Sequence, residues 1–183
     1  MTEFIFLGNL MRQKGVLTLL DACSLLKNKN QVFKCHFVGA ESKDLPLSEI
    51  DNKIQELQLH NCVTMHGPLY GAAKEAMLQK PRIMVFPSFY HNECFPLVLL
   101  EAMKNKMAII STREGAIPDM VLDGYTGILV EKNNATELAQ AMQMFIDSIP
   151  LTEKMGKNGF DHYRNNFTEE IFINTIHSIL SRA

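Results

Sequence analysis

The hydrophobic pattern of the chain alternates short apolar runs with longer amphipathic segments. Residues 3–7 form the first apolar run, which Gly8 closes, and residues 33–38 form the second, which Gly39 closes. Short runs bounded by glycine are typical of buried β-strands. The same pattern predicts four more strands, at residues 62–65, 83–86, 107–111 and 127–130.

Between these runs, apolar residues recur at the three- and four-residue spacing of an amphipathic helix. In the first such segment the apolar positions include Val16, Leu19, Leu20, Cys23 and Leu26. The predicted helices cover residues 14–27, a segment that opens at residue 46, and residues 71–78, 96–105, 136–146, 151–164 and 169–180, with a helical turn at 117–122.

Strands that alternate with helices require crossover connections, and these give a mostly parallel sheet. We therefore predict an α/β fold with a doubly wound, six-stranded, Rossmann-like sheet that carries helices on both faces. No linker, repeat or low-complexity segment divides the sequence. Residues 1–183 are accordingly interpreted as a single domain.

The composition argues against several classes of function. With 46% hydrophobic and 21% charged residues, the chain can bury a core and is not disordered. Lys and Arg number 18 against 20 Asp and Glu, and the formal charge of −2 argues against a nucleic-acid partner. No basic cluster indicates binding to anionic lipid, and no run of about 18 apolar residues is present to span a bilayer.

The cysteines and histidines do not form a metal-binding pattern. Cys23, Cys35, Cys62 and Cys94 are separated by 12, 27 and 32 residues, which fits neither a CxxC pair nor a zinc site. The six histidines also lack the spacing of metal ligands. Isolated cysteines in apolar runs are typical of reduced, mostly buried thiols. With no secretory signal at the start, we expect a cytoplasmic protein without a bound metal.

Ligands of doubly wound sheets bind at the carboxyl ends of the strands, so the loops that follow the strands carry the candidate site. The first loop contains Arg12 and Lys14 and matches neither the GxGxxG nor the GxxxxGK[ST] phosphate motif. Both cations precede a helix N-terminus, which already favours an anion. A solvated turn explains Arg12 equally well. An anion site is the better interpretation of Lys14, because a lysine in a first helical turn opposes the helix dipole.

The loop after the fourth strand carries two further acids, Glu93 and Glu101, on either side of Pro96. Proline suits the first position of a helix, and the free N–H groups of Leu97 and Val98 would then point toward the strand ends. Carboxylates accept hydrogen bonds from sugar or ribose hydroxyls, and a helix N-terminus accepts phosphate. From residue types alone, a capping or surface role for both acids remains the simpler interpretation.

The spacing of Glu93 and Glu101 around Phe95-Pro96, followed by Ala102-Met103, resembles the signature of the group 1 glycosyltransferases of family 4, which have the GT-B fold. The resemblance continues through residues 112–121 and 123–130, and it includes the opening loop with Gly8, Lys14 and Gly15. The resemblance covers nearly the whole chain, which would correspond to the C-terminal, donor-binding half of such an enzyme. The N-terminal acceptor-binding domain would lie outside this chain.

The sequence departs from the family pattern at a few positions. Asn9 stands where the family usually has an arginine, so one phosphate contact is lost or is supplied by Arg12. Cys94 stands where glycine is common, which restricts the backbone of that loop. Lys106 and Ala108 replace a glycine and a proline that shape a turn.

The resemblance implies a role for each candidate residue. Glu101 would bind the ribose hydroxyls, and Glu93 the hydroxyls of the transferred sugar. Lys14, helped by Arg12, would neutralise the diphosphate leaving group, so Glu93, Lys14 and Arg12 form the catalytic group. The remaining donor-binding residues that it implies are Gly8, Asn9, Gly67, Leu69, His91, Phe95, Pro96, Leu97 and Val98.

The function implied by the resemblance is one half of a retaining glycosyltransferase that moves a hexose from a nucleotide-diphosphate sugar without a metal ion. The isolated chain would be inactive. The expected context is bacterial cell-surface polysaccharide or lipopolysaccharide synthesis, with the full-length enzyme in peripheral contact with the inner face of the membrane. The alternatives are an inactive nucleotide-sugar-binding module and a sugar-nucleotide epimerase of the same architecture. Ile171, Phe172, Ile176, Ile179 and Leu180 on the last helix would either form an exposed apolar strip that contacts the N-terminal domain or pack on the core of this domain.

Overall fold

All neighbouring strands of the sheet run parallel, in the order β3-β2-β1-β4-β5-β6. The computed structural model describes residues 1–181. The strands are β1 (Thr2–Leu7), β2 (Phe33–Val38), β3 (Val63–Met65), β4 (Ile83–Phe86), β5 (Ala108–Thr112) and β6 (Gly127–Val130). The predicted parallel, six-stranded α/β sheet is therefore confirmed.

Eight α-helices surround this sheet in the described part of the chain. They are α1 (Val16–Asn28), α2 (Leu47–Glu56), α3 (Gly71–Leu78), α4 (Leu97–Lys104), α5 (Ile117–Met120), α6 (Ala135–Asp147), α7 (Ile149–Asn166) and α8 (Glu169–Leu180). Strand order reverses between β1 and β4. Since crossovers are right-handed, α1 and α2 cover one face and α4 covers the other. Of the later helices, α6 packs against α1 and α7 packs against α4.

Three of the element boundaries that differ from the sequence prediction have a clear local cause. Lys14 lies in a short 3₁₀ turn, Arg12–Lys14, because Gly15 adopts a left-handed conformation and separates this turn from α1. Pro96 is the N-cap of α4 and not its first residue, since its backbone is extended. Met107 stays outside β5 because its N–H donates back to Ala102 at the end of α4.

The core lies along the central strands, which are buried on both faces. All four residues of β4 and all five residues of β5 are buried. The rings of Phe6 and Phe37 stack with centroids 5.7 Å apart, and Phe6 stacks on Phe86 at 6.1 Å. Two layers of helices can cover such strands only if both strand faces are apolar, which explains the unbroken apolar runs in the sequence.

Two of the four free cysteines are buried thiols, as expected. Cys23 and Cys35 are fully buried, Cys62 is half-buried, and Cys94 is exposed. The hydrogen bond between the Cys23 and Cys35 thiols, together with burial, holds the pKa of Cys23 well above its ordinary value. Cys23 is therefore a poor nucleophile. None of the helices within residues 1–181 combines the length and the apolarity needed to cross a membrane.

Two histidines meet on the outer strands of the sheet. Nδ1 of His36, on β2, lies 3.0 Å from Nε2 of His66, which follows β3. On its other side, Nε2 of His36 lies 3.5 Å from the Glu3 carboxylate on β1. A hydrogen bond between two imidazoles requires one of the facing nitrogens to be unprotonated. Burial lowers the pKa of His66, and the nearby imidazole of His36 lowers it further.

This arrangement predicts a pH dependence of stability. Because folding lowers the pKa of His66, the unfolded chain binds more protons there. The stabilisation is therefore complete above the ordinary histidine pKa of about 6.5 and falls as the pH drops below it. We expect the His66→Gln variant to lose less free energy of unfolding between pH 7.5 and pH 5.5 than the wild type does.

Urea unfolding at the two pH values measures this difference. His60→Gln is the control, because His60 is exposed, and it should show the wild-type pH dependence. An unchanged pH dependence in His66→Gln would contradict the prediction.

Candidate functional site

The loops that follow β1 and β4 meet at the point where the strand order reverses. The N–H of Phe89 donates to the carbonyl of Gln13 at 2.7 Å, and Oγ of Ser88 lies 3.4 Å from the same carbonyl oxygen. At Gly15, with φ of 78°, an added Cβ would lie 2.2 Å from the carbonyl oxygen of Pro87. The two loops therefore pack backbone against backbone, which only glycine permits at this position.

An ion pair between Lys14 and Glu93 lies where these loops touch. The Lys14 ammonium pairs with Oε2 of Glu93, which also accepts a hydrogen bond of 2.8 Å from the Ser88 hydroxyl. Glu93 is only 7% exposed. The ammonium also lies 5.2 Å from the centre of the Phe86 ring and 5.0 Å from that of Tyr90. Each charge is thus compensated by the other in a largely dry environment.

The end of β5 holds the Glu93 loop in place. The Ser111 hydroxyl donates to the Phe86 carbonyl at 2.6 Å, and the Thr112 hydroxyl donates to the carbonyl of Ser88. Three residues beyond the end of this strand, Gly115 packs against Glu93. With φ of 50°, Gly115 leaves no room for a side chain, because an added Cβ would lie 1.7 Å from the Glu93 carbonyl oxygen.

Sequence reasoning did not include Ser88, Ser111, Thr112 or Gly115 among the site residues. Ser111 and Thr112 are buried polar residues at the end of an apolar strand. Polar residues at the end of an apolar strand could have indicated these contacts from the sequence, because a buried polar group needs a hydrogen-bond partner.

Glu101 has a different partner, on α3. The Lys74 ammonium donates to Oε1 of Glu101 at 2.6 Å, whereas Oε2 is buried and has no hydrogen-bond partner among the described residues. A cleft of about 540 Å³ opens here between α3 and α4. Its lining includes Gly71, Lys74 and Glu101, but Glu93 is not among the lining residues. Glu93 and Glu101 are therefore paired separately in this structure.

Arg12 is directed away from Lys14. Its guanidinium pairs with Glu49, and its Nε donates to the Asp44 carbonyl at 2.8 Å. Its backbone N–H reaches the Asp44 carboxylate at 3.2 Å. The Ser42 hydroxyl, with further help from Arg12, lowers the pKa of Asp44. In this structure Arg12 thus joins the loop after β2 and does not supply a second cation beside Lys14.

The other predicted donor-binding residues surround the carboxyl edge of the sheet. The N–H of Gly8 donates to Val38 at 3.0 Å, and the carbonyl of Gly67 accepts from Gly39 at 2.9 Å. Asn9, His91, Phe95 and Leu97 are exposed, Val98 and Leu69 are half-buried, and Pro96 is buried. Phe95 and Leu97 form one wall of an apolar groove of about 520 Å³, and Phe167, Ile171 and Phe172 line the other side.

The arrangement can neutralise an anion and accept hydrogen bonds from hydroxyl groups. Lys14 pairs with Glu93, which precedes α4 in the chain, and the amides of Leu97 and Val98 open this helix without an intrahelical acceptor. Within residues 1–181, no three His, Cys, Asp or Glu side chains are grouped as metal ligands.

The family model described as "Glycosyl transferases group 1" matches residues 2–162 of the chain. An uncharacterized glycosyltransferase of Methanocaldococcus jannaschii is 30% identical over 85% of this chain and 41% of its own length. A D-inositol 3-phosphate glycosyltransferase of Corynebacterium aurimucosum is 29% identical over 86% of this chain and 38% of its own length. A putative colanic acid biosynthesis glycosyltransferase of Escherichia coli is 26% identical over 97% and 44%. The chain thus spans less than half the length of these curated relatives.

Solved structures share the fold. The C-terminal domain of a group 1 family glycosyl transferase from Francisella tularensis matches with a TM-score of 0.82 and 25% identity, over 92% of this chain and 87% of that domain. Sucrose-phosphate synthase from Thermosynechococcus elongatus matches with a TM-score of 0.88 and 24% identity, over 99% of this chain and 45% of that protein. The Anabaena protein HepE in complex with UDP matches at 0.89 with 21% identity, over 99% and 49%.

The packing at Gly115 gives a prediction for this site. Gly115→Ala should lower the free energy of unfolding by at least about 1 kcal/mol more than Gly124→Ala does, because a backbone oxygen occupies the space that the new methyl group needs. Gly124 is the matched control, since its φ is 74° and nothing lies within 4 Å of an added Cβ.

Urea unfolding of the two variants measures the difference. Both substitutions carry the strain of a left-handed residue, so only the clash distinguishes them. Equal losses would show that the Glu93 loop moves aside freely.

Proposed function

Because the chain belongs to the group 1 glycosyl transferases, we propose that it is the donor-binding half of a retaining glycosyltransferase. The complete enzyme would move a hexose from a nucleotide-diphosphate sugar to an acceptor. The observation that carries this proposal is the buried Lys14–Glu93 pair beside the N-terminus of α4, at the reversal point of the sheet.

Lys14 is the proposed partner of the diphosphate. In the structure its ammonium pairs with Glu93. When a diphosphate enters, the ammonium exchanges this carboxylate for phosphate oxygens, and the free N–H groups of Leu97 and Val98 donate to the same anion. As the sugar leaves, negative charge accumulates on the diphosphate and these groups stabilise it. The positive charge comes from the protein, so we propose that no metal ion is needed.

The two acids bind the two sugars of the donor in this proposal. Glu93, released from Lys14, accepts hydrogen bonds from hydroxyls of the transferred hexose and does not act as a proton-transfer base. Glu101 accepts from the ribose hydroxyls through Oε2, the oxygen that has no partner among the described residues. HepE, a neighbour with this fold, was solved with UDP and with UDP-glucose. Those complexes support a nucleotide sugar as the class of ligand.

We also propose that an acceptor-binding domain packs against the exposed apolar strip of α8. Phe172, Ile176, Ile179 and Leu180 are 41–69% exposed on this helix, whereas Ile171 is partly buried. An apolar strip of this kind marks an interaction surface. Relatives named for colanic acid and capsular polysaccharide biosynthesis support cell-surface glycan synthesis as the role. This role implies a cytoplasmic enzyme in peripheral contact with the inner face of the membrane.

Calorimetry on single variants tests the assignment of the acids. Glu101→Ala should weaken both a free nucleoside diphosphate and its sugar-linked form about ten- to hundredfold, because the ribose is present in both. Glu93→Ala should weaken only the sugar-linked form, because it removes the contact with the hexose. The free diphosphate has no hexose, and Lys14 stays available to bind it. Lys14→Met should weaken both ligands and reduce the salt dependence of binding.

Glu153→Ala, at an exposed position of α7, is the control and should bind both ligands like the wild type. Equal losses of the two ligands in Glu93→Ala would refute the assignment of this residue to the hexose.

The isolated 183-residue chain should not transfer sugar, because donor binding alone does not position an acceptor. Incubation with nucleotide sugars and a broad panel of acceptors, followed by mass spectrometry, should show no glycoside. Binding of the same donors by calorimetry controls for correct folding. Robust transfer by this chain would overturn the interpretation as half of an enzyme.

A further inference from the structure

Lys74 is a cation at the candidate site that belongs to none of the sequence motifs and has no role in the proposed function. It lies on α3, a helix whose only buried residue is Leu78. Its ammonium reaches across the cleft to Glu101 on α4, and both side chains remain about one-third exposed. An ion pair this exposed contributes little to stability. Its effect on the geometry of Glu101 is therefore of more interest than its effect on folding.

The two oxygens of the Glu101 carboxylate are in different situations. Oε1 accepts the 2.6 Å hydrogen bond from Lys74, whereas Oε2 is buried and has no partner among the described residues. A buried oxygen without a hydrogen bond carries a free-energy cost that a donor from a ligand would remove. Glu101 also lines the cleft between α3 and α4.

We propose that Lys74 is a positioning residue that makes the site selective for ribose over 2′-deoxyribose. This inference rests on the proposed function, in which Glu101 binds the ribose. A glutamate side chain has three rotatable bonds, and a charge-assisted hydrogen bond to one of its oxygens fixes the carboxylate in one orientation. The other oxygen is then held ready for a ribose hydroxyl without a loss of side-chain freedom on binding.

A merely electrostatic role for Lys74 makes a different prediction. A cation close to the nucleotide would attract the diphosphate of ribose and deoxyribose ligands equally. A positioning role affects only the ligand that carries the hydroxyl. The ratio of the two affinities therefore separates the two roles, whereas the affinity for one ligand does not.

The experiment measures dissociation constants by calorimetry for the full chain. The probe is whichever of UDP, GDP and ADP binds most tightly, together with its 2′-deoxy counterpart. The wild type should prefer the ribose form about tenfold or more, as expected for a hydrogen bond to a carboxylate. Lys74→Met retains the apolar stem but has no donor, and it should reduce the preference to about threefold or less. Its affinity for the deoxy ligand should change little.

Two further variants complete the test. Lys74→Arg keeps a donor to Oε1 and should retain the wild-type preference. Lys104→Met removes a different cation that lines the same cleft and should leave the preference unchanged. Equal weakening of both ligands in Lys74→Met, or a preference that survives this substitution, would overturn the inference.

The failure of the proposed function would look different. If the wild-type chain binds none of the nucleoside diphosphates, the proposed function and this inference both fall. If it binds them but does not prefer the ribose form, Glu101 does not bind the 2′-hydroxyl of the ribose, and the role of Lys74 falls with that assignment.

Discussion

The close packing of three loops at the carboxyl edge of the sheet is the constraint on which the candidate site depends. The loop after β1 touches the loop after β4 at Gly15, and the loop after β5 touches it at Gly115. At both positions an added side chain would collide with a backbone oxygen. Because the loops touch through their backbones, none of them can shift without displacing the others. The contacts therefore fix the position of Glu93 and of the ammonium that pairs with it.

Both candidate acids are paired with lysines from other elements. Glu93 is paired with Lys14, and Glu101 with Lys74. The first pair is largely buried, so each partner would carry a large desolvation cost if the other left without a replacement. A ligand that brings its own negative charge can supply that replacement. The second pair is more exposed and is better suited to orient a carboxylate than to stabilise the fold.

The fold was largely predictable because strands buried on both faces appear in the sequence as short, unbroken apolar runs. Each apolar run corresponds to a strand, and each amphipathic segment corresponds to a helix. The errors lie at the ends of elements, such as Pro96 and Met107, where a single hydrogen bond or backbone angle decides the boundary. Such local choices depend on neighbouring loops, which the pattern of one segment does not contain.

The sequence by itself determined which residue types lie at the carboxyl edge, because strand ends and motif spacing are local properties. Only the tertiary structure decided which of these residues pair. Lys14 and Glu93 are 79 positions apart, Lys74 and Glu101 are 27 apart, and Arg12 lies 37 positions from the glutamate it contacts. An ion pair forms only between groups within a few ångströms. That proximity is set by the crossover connections and by the glycine contacts between loops, and the sequence spacing does not encode it.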